Sequence, residues 1–163
     1  LFEEIIDKYP NEKLAYFELG DMLFHTNKTN ESLAYLEKSY QIDPSFEPTI
    51  EHLGWAYLSQ DEHEKNIELT KKSQTIYPKD KNYVMNVLEA YLYAGEFDDF
   101  FQEMQHIDVA LKKGTNEDSP ISLERGLDTM LVISAAHMSE QNNCSVAIDY
   151  SKGYKIEALT LLK

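Results

Sequence analysis

Cysteine and arginine are almost absent from this sequence of 163 residues, which contains one of each, Cys144 and Arg125. A lone cysteine cannot form an internal disulfide, which fits a reducing compartment, and we favour the cytoplasm. Apolar runs are short as well. None reaches the ~18 residues that a transmembrane helix needs, so we predict no membrane insertion. With a single arginine, the chain is poorly suited to the bidentate phosphate contacts of nucleic-acid-binding proteins.

Positive charge is also scarce. Fifteen Lys and Arg residues against 29 Asp and Glu residues give a formal net charge of −14. Such an excess repels phosphate backbones and anionic lipid surfaces, so we expect this chain to bind no nucleic acid. The simplest interpretation of the charge is a solvated acidic surface. The alternative is a surface suited to cationic partners.

Sequence patterns that carry catalysis or metal binding are missing. There is no H-x-x-E-H, H-E-x-x-H or C-x-x-C spacing. There is also no glycine-rich phosphate loop and no G-x-S-x-G nucleophile elbow. The histidines are scattered along the chain, at His25, His52, His63, His106 and His137. We therefore expect a protein that is not an enzyme and that uses no cofactor and no metal ion.

What the sequence does contain is an internal repeat with a period of about 34 residues. Pro10, Pro44 and Pro78 are evenly spaced by this period, and each follows an amphipathic run. Upstream of the last two prolines, the segments AYFELGDMLF and TIEHLGWAYL align in register. Their apolar or small residues follow the spacing 0, 3, 4 and 7 of one helix face. The aligned sets are Tyr16, Leu19, Gly20 and Leu23, then Ile50, Leu53, Gly54 and Tyr57, then Val84, Val87, Leu88 and Tyr91.

The period, the L-G-x-x-Y stretch at 53–57 and the closing prolines resemble the tetratricopeptide repeat family. The resemblance covers residues 1 to about 112. It implies an all-α, right-handed superhelical solenoid of about three and a half repeats, each made of two antiparallel helices. We expect a single domain over 1–163. Its expected parts are the second helix of a truncated repeat at 1–10, repeats at 13–44, 47–78 and 81–112, and a degenerate repeat with lengthened helices at 119–163.

The period fails after residue 113. The segment KGTNEDSP is typical of a linker, with Ser119 as a helix N-cap and Pro120 in the first helical turn. We predict a long helix after it and a second helix from about Cys144 to the end, with Ala147 where the family has its second-helix alanine. Because solenoids need polar caps, we also expect more chain on both sides of this one. The alternative is self-association through the solenoid ends.

The resemblance also implies where a partner would bind. In such repeats, the first helix of each pair lines a concave groove that receives a peptide or a helix of another protein. The implied groove residues are Phe17, Asp21, Phe24, Glu51, Trp55, Met85, Glu89 and Tyr93. Their aromatic and thioether side chains offer apolar contact area, and their carboxylates would meet Lys or Arg of the ligand. The alternative is that the aromatic residues pack between successive repeats.

The expected function is therefore a non-enzymatic scaffold that binds a protein or peptide through an apolar or basic segment. One specialised form is excluded, the clamp with which chaperone-binding repeats hold a terminal carboxylate. The clamp positions hold no cation here, since they are Phe17, Asp21, His52, Asn82 and Asn86. Two further functions stay open: a structural or oligomerisation spacer, and a regulatory segment of a larger sensor or transcription factor.

Overall fold

The computed structural model of the protein describes residues 1–112 and 123–162, which are mainly helical. The helices are α1 (Phe2–Lys8), α2 (Lys13–His25), α3 (Thr29–Ile42), α4 (Glu47–Ser59), α5 (His63–Ile76), α6 (Lys81–Ala94), α7 (Phe97–Lys112) and α8 (Leu123–Asn142). A hairpin of two strands follows, β1 (Ser145–Ile148) and β2 (Leu159–Leu162). Each predicted repeat from 13 to 112 contains one helix pair, so the all-α repeat class is confirmed there. The predicted cap at Ser119 and Pro120 lies outside the described residues.

The chain divides into two compact units, Leu1–Pro78 and Lys79–Lys163. The first unit holds α1 to α5, and its buried core includes Leu19, Leu36, Leu53, Ile67 and Leu69. The second unit holds α6 to α8 and the hairpin, around Leu88, Phe100, Phe101, Met104, Leu127 and Leu131. The single domain over 1–163 stays a prediction. Within the two described ranges, no helix combines the length and the apolarity needed to cross a membrane.

One residue in the left-handed conformation lies in the turn between the two helices of each pair. Asn27, Asp61 and Gly95 have φ angles of 59°, 56° and 73°, and they occupy equivalent positions of successive repeats. The amide that follows each of them donates to a carbonyl five residues back, at 2.9–3.0 Å, in the pairs Lys28–Leu23, Glu62–Tyr57 and Glu96–Tyr91. This Schellman arrangement satisfies carbonyl groups left unpaired at the helix end. Asn, Asp and Gly are the residues that best tolerate this conformation.

The aligned glycines of α2 and α4 lie in different surroundings. A Cβ atom added to Gly20 would lie 2.8 Å from Leu36 Cγ and 3.2 Å from the Leu36 backbone nitrogen, so α3 packs directly on this glycine. The buried Ser32 hydroxyl also donates to the Gly20 carbonyl at 2.7 Å. A Cβ added to Gly54 would meet Asn66 Oδ1 at 3.4 Å, an ordinary contact. The helix contact therefore requires glycine only in the first repeat.

The predicted helix from Cys144 to the chain end is wrong. Asn143 has a φ of 49°, and the Cys144 amide donates to the Ser139 carbonyl at 3.2 Å, so α8 ends in another Schellman-type turn. The chain then forms β1, which pairs antiparallel with β2 from Ser145 opposite Leu162 to Ile148 opposite Leu159.

The hairpin has a local physical cause. Gly153 has a φ of 67° and a ψ of −154°, a backbone conformation that essentially only glycine adopts, and no helix continues through it. The strands contain the β-branched residues Val146, Ile148 and Thr160, which favour strand over helix. Ala147, predicted to be the helix-pair alanine of a fourth repeat, is an exposed residue of β1.

Exchanging each aligned glycine for alanine tests the two environments. We expect Gly20→Ala to destabilise the protein by about 1–3 kcal/mol, because the new methyl group would overlap Leu36. We expect Gly54→Ala to stabilise it by up to about 1 kcal/mol, the gain in helix propensity. Urea denaturation followed by circular dichroism measures both free energies of unfolding. Equal effects of the two substitutions would contradict the difference in packing.

The loop between α3 and α4 is tied to α2 by Asp43. Its carboxylate accepts a hydrogen bond from the Lys13 ammonium group. Its Oδ1 atom accepts two more, from the Ser45 amide at 2.9 Å and from the Ser45 hydroxyl at 2.7 Å. The bond from Lys13, followed by those from Ser45, lowers the pKa of Asp43 from 3.8 to about 2.

The lowered pKa of Asp43 predicts a pH-dependent contribution to stability. The ionised carboxylate is favoured in the folded state, so its contribution is complete above about pH 4, the pKa region of an unfolded aspartate. It is lost as the pH falls through the folded pKa of about 2. Between these values, the free energy of unfolding should fall more steeply for wild type than for Asp43→Asn in urea denaturation. The control Glu64→Gln, at an exposed acid of α5, should keep the wild-type slope.

Candidate functional site

The first unit contains the predicted groove residues of α2 and α4, which we call the α2–α4 patch: Phe17, Asp21, Phe24, Glu51 and Trp55. Trp55 is 51% exposed, and Glu51 is exposed as well. Phe17, Asp21 and Phe24 are half-buried. Trp55 is therefore not packed away between repeats, whereas the two phenylalanines are partly used in packing.

At the centre of this patch lies a cluster that we call the His–Asp cluster: Asp21 and His25 of α2 and His52 of α4. The Nε2 atoms of both histidines lie 3.1 Å from Asp21 Oδ1. Asp21 and His25 share one helix face because they are four residues apart. His52 comes from the next repeat, so the cluster joins the first helices of two neighbouring repeats.

The His52 ring is oriented by a hydrogen bond at one of its nitrogen atoms. Its Nδ1 atom lies 2.9 Å from the Pro48 carbonyl, which can only accept, so Nδ1 carries a proton and donates it there. This leaves Nε2 pointing at Asp21. Side-chain exposure is 18% for His52, 29% for Asp21 and 64% for His25, so the cluster opens to solvent on the His25 side.

Aromatic rings surround the His–Asp cluster. The His52 ring centre lies 5.2 Å from that of Phe17 and 4.8 Å from that of Trp55. Phe24 contacts His25 edge to face at 5.7 Å. The two imidazoles of the cluster therefore pack against aromatic rings of the same patch.

Asp21 Oδ1 is an unusual atom in this environment. It is buried, and it makes no hydrogen bond to any described residue, because its two close contacts with imidazole nitrogens lack hydrogen-bond geometry. A buried oxygen of a carboxylate without a donor costs free energy unless a cation compensates it. A cation near Asp21 Oδ1 would offset this cost.

The predicted groove residues of the second unit lie on α6. Tyr93 is 53% exposed and meets the His137 ring edge to face at 6.2 Å. Met85 lies against α8, since a Cβ on Gly126 would be 3.5 Å from the Met85 thioether sulfur. Desolvation raises the pKa of Glu89. In this unit, Tyr93 is the side chain that offers apolar area to a ligand, and Met85 is engaged in packing.

A cavity of about 330 Å³ in the first unit was not anticipated from the sequence. Its lining comes from three helices, with Glu37, Tyr40, Gln41, Leu53, Tyr57, Lys65, Glu68, Leu69 and Lys72. Its charges are internally paired, with Lys72 Nζ 2.6 Å from Glu68 and Lys65 Nζ 3.7 Å from Glu37. Burial and the hydrogen bond that Tyr57 donates to Glu37 raise the pKa of the Tyr57 hydroxyl. Paired charges make this cavity a weaker candidate than the α2–α4 patch.

His25 falls on the predicted groove face of α2, but neither His25 nor His52 is among the predicted site residues. Spacing within one helix does not reveal the cluster, because the two histidines lie on different helices. The signal was the repeat register. It aligns α4, which carries His52, with α2, which carries Asp21 and His25. Motif searches confined to one helix do not use that register.

The family model of the tetratricopeptide repeat matches residues 14–46 of this chain. Two crystal structures of MamA are similar to it, one at 21% identity with a TM-score of 0.59, over 72% of this chain and 65% of that one. The other is 15% identical with a TM-score of 0.61, over 86% and 75%. The structure of YrrB, described as a TPR protein with an unusual peptide-binding site, is 15% identical with a TM-score of 0.52, over 88% and 75%. A comparison with curated protein sequences finds no match.

The predicted resemblance to the tetratricopeptide repeat family is therefore confirmed, directly in residues 14–46 and by the fold elsewhere. At these identities, the similarity to solved structures shows the fold alone. The chain spans 65% of the length of the first MamA structure.

The different burial of Trp55 and Leu53 can be tested by truncating each side chain. Leu53 is 1% exposed, whereas Trp55 is 51% exposed. We expect Leu53→Ala to cost about 2–5 kcal/mol of stability, as for core leucines. Trp55→Ala should cost less than about 1 kcal/mol, as for surface positions. Urea denaturation followed by circular dichroism compares them. If Trp55→Ala lowered the free energy of unfolding as much as Leu53→Ala, Trp55 would instead be part of the packing between repeats.

Proposed function

We propose that this protein is a non-enzymatic interaction module that binds a segment of another protein on the first helices of its repeats. The observation that carries the proposal is the exposed Trp55 of α4, four residues from the exposed carboxylate of Glu51 on the same helix. Tryptophan is the residue most enriched among binding hot spots, and an exposed one beside charge is a suitable anchor.

The fold supports this proposal by analogy. Proteins built from this repeat that resemble the chain include YrrB, described as having a peptide-binding site. That property belongs to YrrB, and its transfer here is part of the proposal. The apolar surface and the charge of the α2–α4 patch are evidence from the chain itself.

The preferred ligand combines an apolar side chain with basic ones. The apolar side chain would cover Trp55 and the exposed edge of Phe24. A Lys or Arg beside it would pair with Glu51. Because Glu51 is exposed, this pairing requires little desolvation of its carboxylate. The formal net charge of −14 adds long-range attraction for a basic segment, and this attraction weakens with salt. On α6 of the second unit, Tyr93 and Glu89 likewise combine an aromatic ring with a carboxylate.

Two other functions were considered, an oligomerisation spacer and a regulatory segment of a larger protein, and only the spacer makes no use of the α2–α4 patch. An oligomerisation spacer would bury the ends of the repeat array, and its self-association would be insensitive to Trp55. A regulatory segment is compatible with ligand binding at the patch, since the ligand could be another part of the parent protein.

Selection of peptides by phage display on the full chain tests the proposal. We expect the enriched sequences to combine Lys or Arg with an aromatic or aliphatic residue. Because Trp55 is the only tryptophan, its fluorescence can follow binding of each peptide directly. Trp55→Ala, followed by peptide anisotropy, should weaken binding by about 30-fold or more, the loss of about 2 kcal/mol typical of a hot spot. Glu51→Lys should weaken it by about tenfold, more at low salt.

Two matched variants control this experiment. Tyr9→Ala removes an aromatic side chain of similar exposure, 55%, outside the patch. Glu64→Lys makes the same charge change on α5. Both should bind the selected peptides as wild type does. Selection of acidic peptides, or equal weakening by Tyr9→Ala and Trp55→Ala, would contradict the proposed site.

A further inference from the structure

We infer that Asp21, His25 and His52 form a binding site for a single divalent transition-metal ion, with zinc as the best fit. The donor atoms of the three side chains lie within 4.8 Å of one another. Two imidazoles and one carboxylate are a ligand set that suits zinc and its neighbours, whereas calcium and magnesium prefer oxygen ligands alone. This inference does not rest on the proposed function, because the ion can be measured without any peptide.

The distances suit a tetrahedral ion. In a site with bonds of about 2.0–2.1 Å, neighbouring donor atoms lie about 3.3 Å apart. Each histidine Nε2 atom is 3.1 Å from Asp21 Oδ1, so two edges of the tetrahedron are already close to that length. The third edge joins one nitrogen of each imidazole, and the three donor atoms of the cluster all lie within 4.8 Å of one another. Rotation of the more exposed His25 ring can close this edge.

The hydrogen bond behind His52 orients its ring for metal binding. With Nδ1 donating to the Pro48 carbonyl, the neutral ring presents a lone pair on Nε2. That lone pair and the Asp21 carboxylate oxygen, 3.1 Å away, are two donor atoms at a separation that suits one bound cation. A backbone carbonyl that accepts from the distal nitrogen is the usual support of a metal-binding histidine, because it fixes tautomer and ring orientation. A bound ion would also compensate the buried Asp21 Oδ1 atom, which accepts no hydrogen bond from a described residue.

The site would connect two repeats and keep one coordination position open. Asp21 and His25 approach the ion from α2, and His52 approaches it from α4, so the ion would bridge these helices. Three protein ligands leave a fourth position for water or for a donor side chain of a bound segment. That position would open toward solvent beside His25, since 64% of its side chain is exposed.

Titration of Zn²⁺ and Co²⁺ into the full chain tests the inference. We expect one equivalent of Zn²⁺ to bind, measured by competition with a chromophoric chelator. Bound Co²⁺ should give the intense visible absorption of tetrahedral coordination. It should also quench the fluorescence of Trp55, whose ring lies 4.8 Å from that of His52.

Substitutions locate the ion. His52→Gln and Asp21→Asn should each weaken Zn²⁺ binding by at least tenfold, since even loss of a supporting residue costs about 10–100-fold. His63→Gln is the matched control: this histidine also neighbours a carboxylate, Asp61 at 3.9 Å, and its loss should leave binding unchanged. Circular dichroism of each variant checks folding, and Asp21→Asn serves if His52→Gln does not fold.

The opposing results are equally clear. Absence of saturable Zn²⁺ binding at neutral pH would overturn the inference, and the cluster would then be an ion pair between Asp21 and protonated imidazole. Binding that survives both Asp21→Asn and His52→Gln would also overturn it, because the ion would then be held elsewhere. Neither result would affect the peptide proposal, whose readouts are Trp55 and Glu51.

Discussion

The turn inside each helix pair depends on one residue that must adopt a left-handed backbone. Asn27, Asp61 and Gly95 occupy that position, and the Schellman hydrogen bonds around them end α2, α4 and α6 at equivalent places. The first helices of the repeats therefore end in register, and the same helix face recurs in each repeat. Side chains such as Asp21 and His52, which are remote in sequence, meet because of this register. A residue that resisted the left-handed conformation would shift the second helix and the face that the first one presents.

The sequence predicted the helix pairs well because repeat register reinforces a weak local signal. Helix periodicity alone is ambiguous over short stretches, but three copies with evenly spaced prolines remove the ambiguity. The C-terminal segment had no such support. There, Ala147 was assigned by analogy with the family, while Asn143 and Gly153 set the actual backbone. Their left-handed conformations outweigh a helical pattern, since each ends or prevents a helix.

The candidate site was predictable only in part. The aligned positions on α2 and α4 placed Trp55 among the predicted groove residues, with packing between repeats as the alternative, and the structure shows it 51% exposed. Exposure of individual aromatic residues depends on packing, however, so the half-burial of Phe17 against Phe46 and His52 could not be deduced. The His–Asp cluster was missed because it combines Asp21 and His25, which are four residues apart, with a third residue one repeat later. Two-residue patterns of this kind are common in acidic helices, and the third partner requires the fold.

The acidic groove residues were expected to act alike, but their surroundings give them different roles. Asp21 Oδ1 lies 3.1 Å from the Nε2 atoms of both His25 and His52, so its carboxylate already interacts with these two imidazoles. Glu51 is exposed, and it is the carboxylate that a basic ligand segment can reach without displacing protein contacts. On α6, desolvation raises the pKa of Glu89 and so disfavours its ionised form relative to a fully solvated glutamate. We therefore propose that Glu51 recognises basic side chains in the first unit, whereas Asp21 and the two histidines form the proposed metal site.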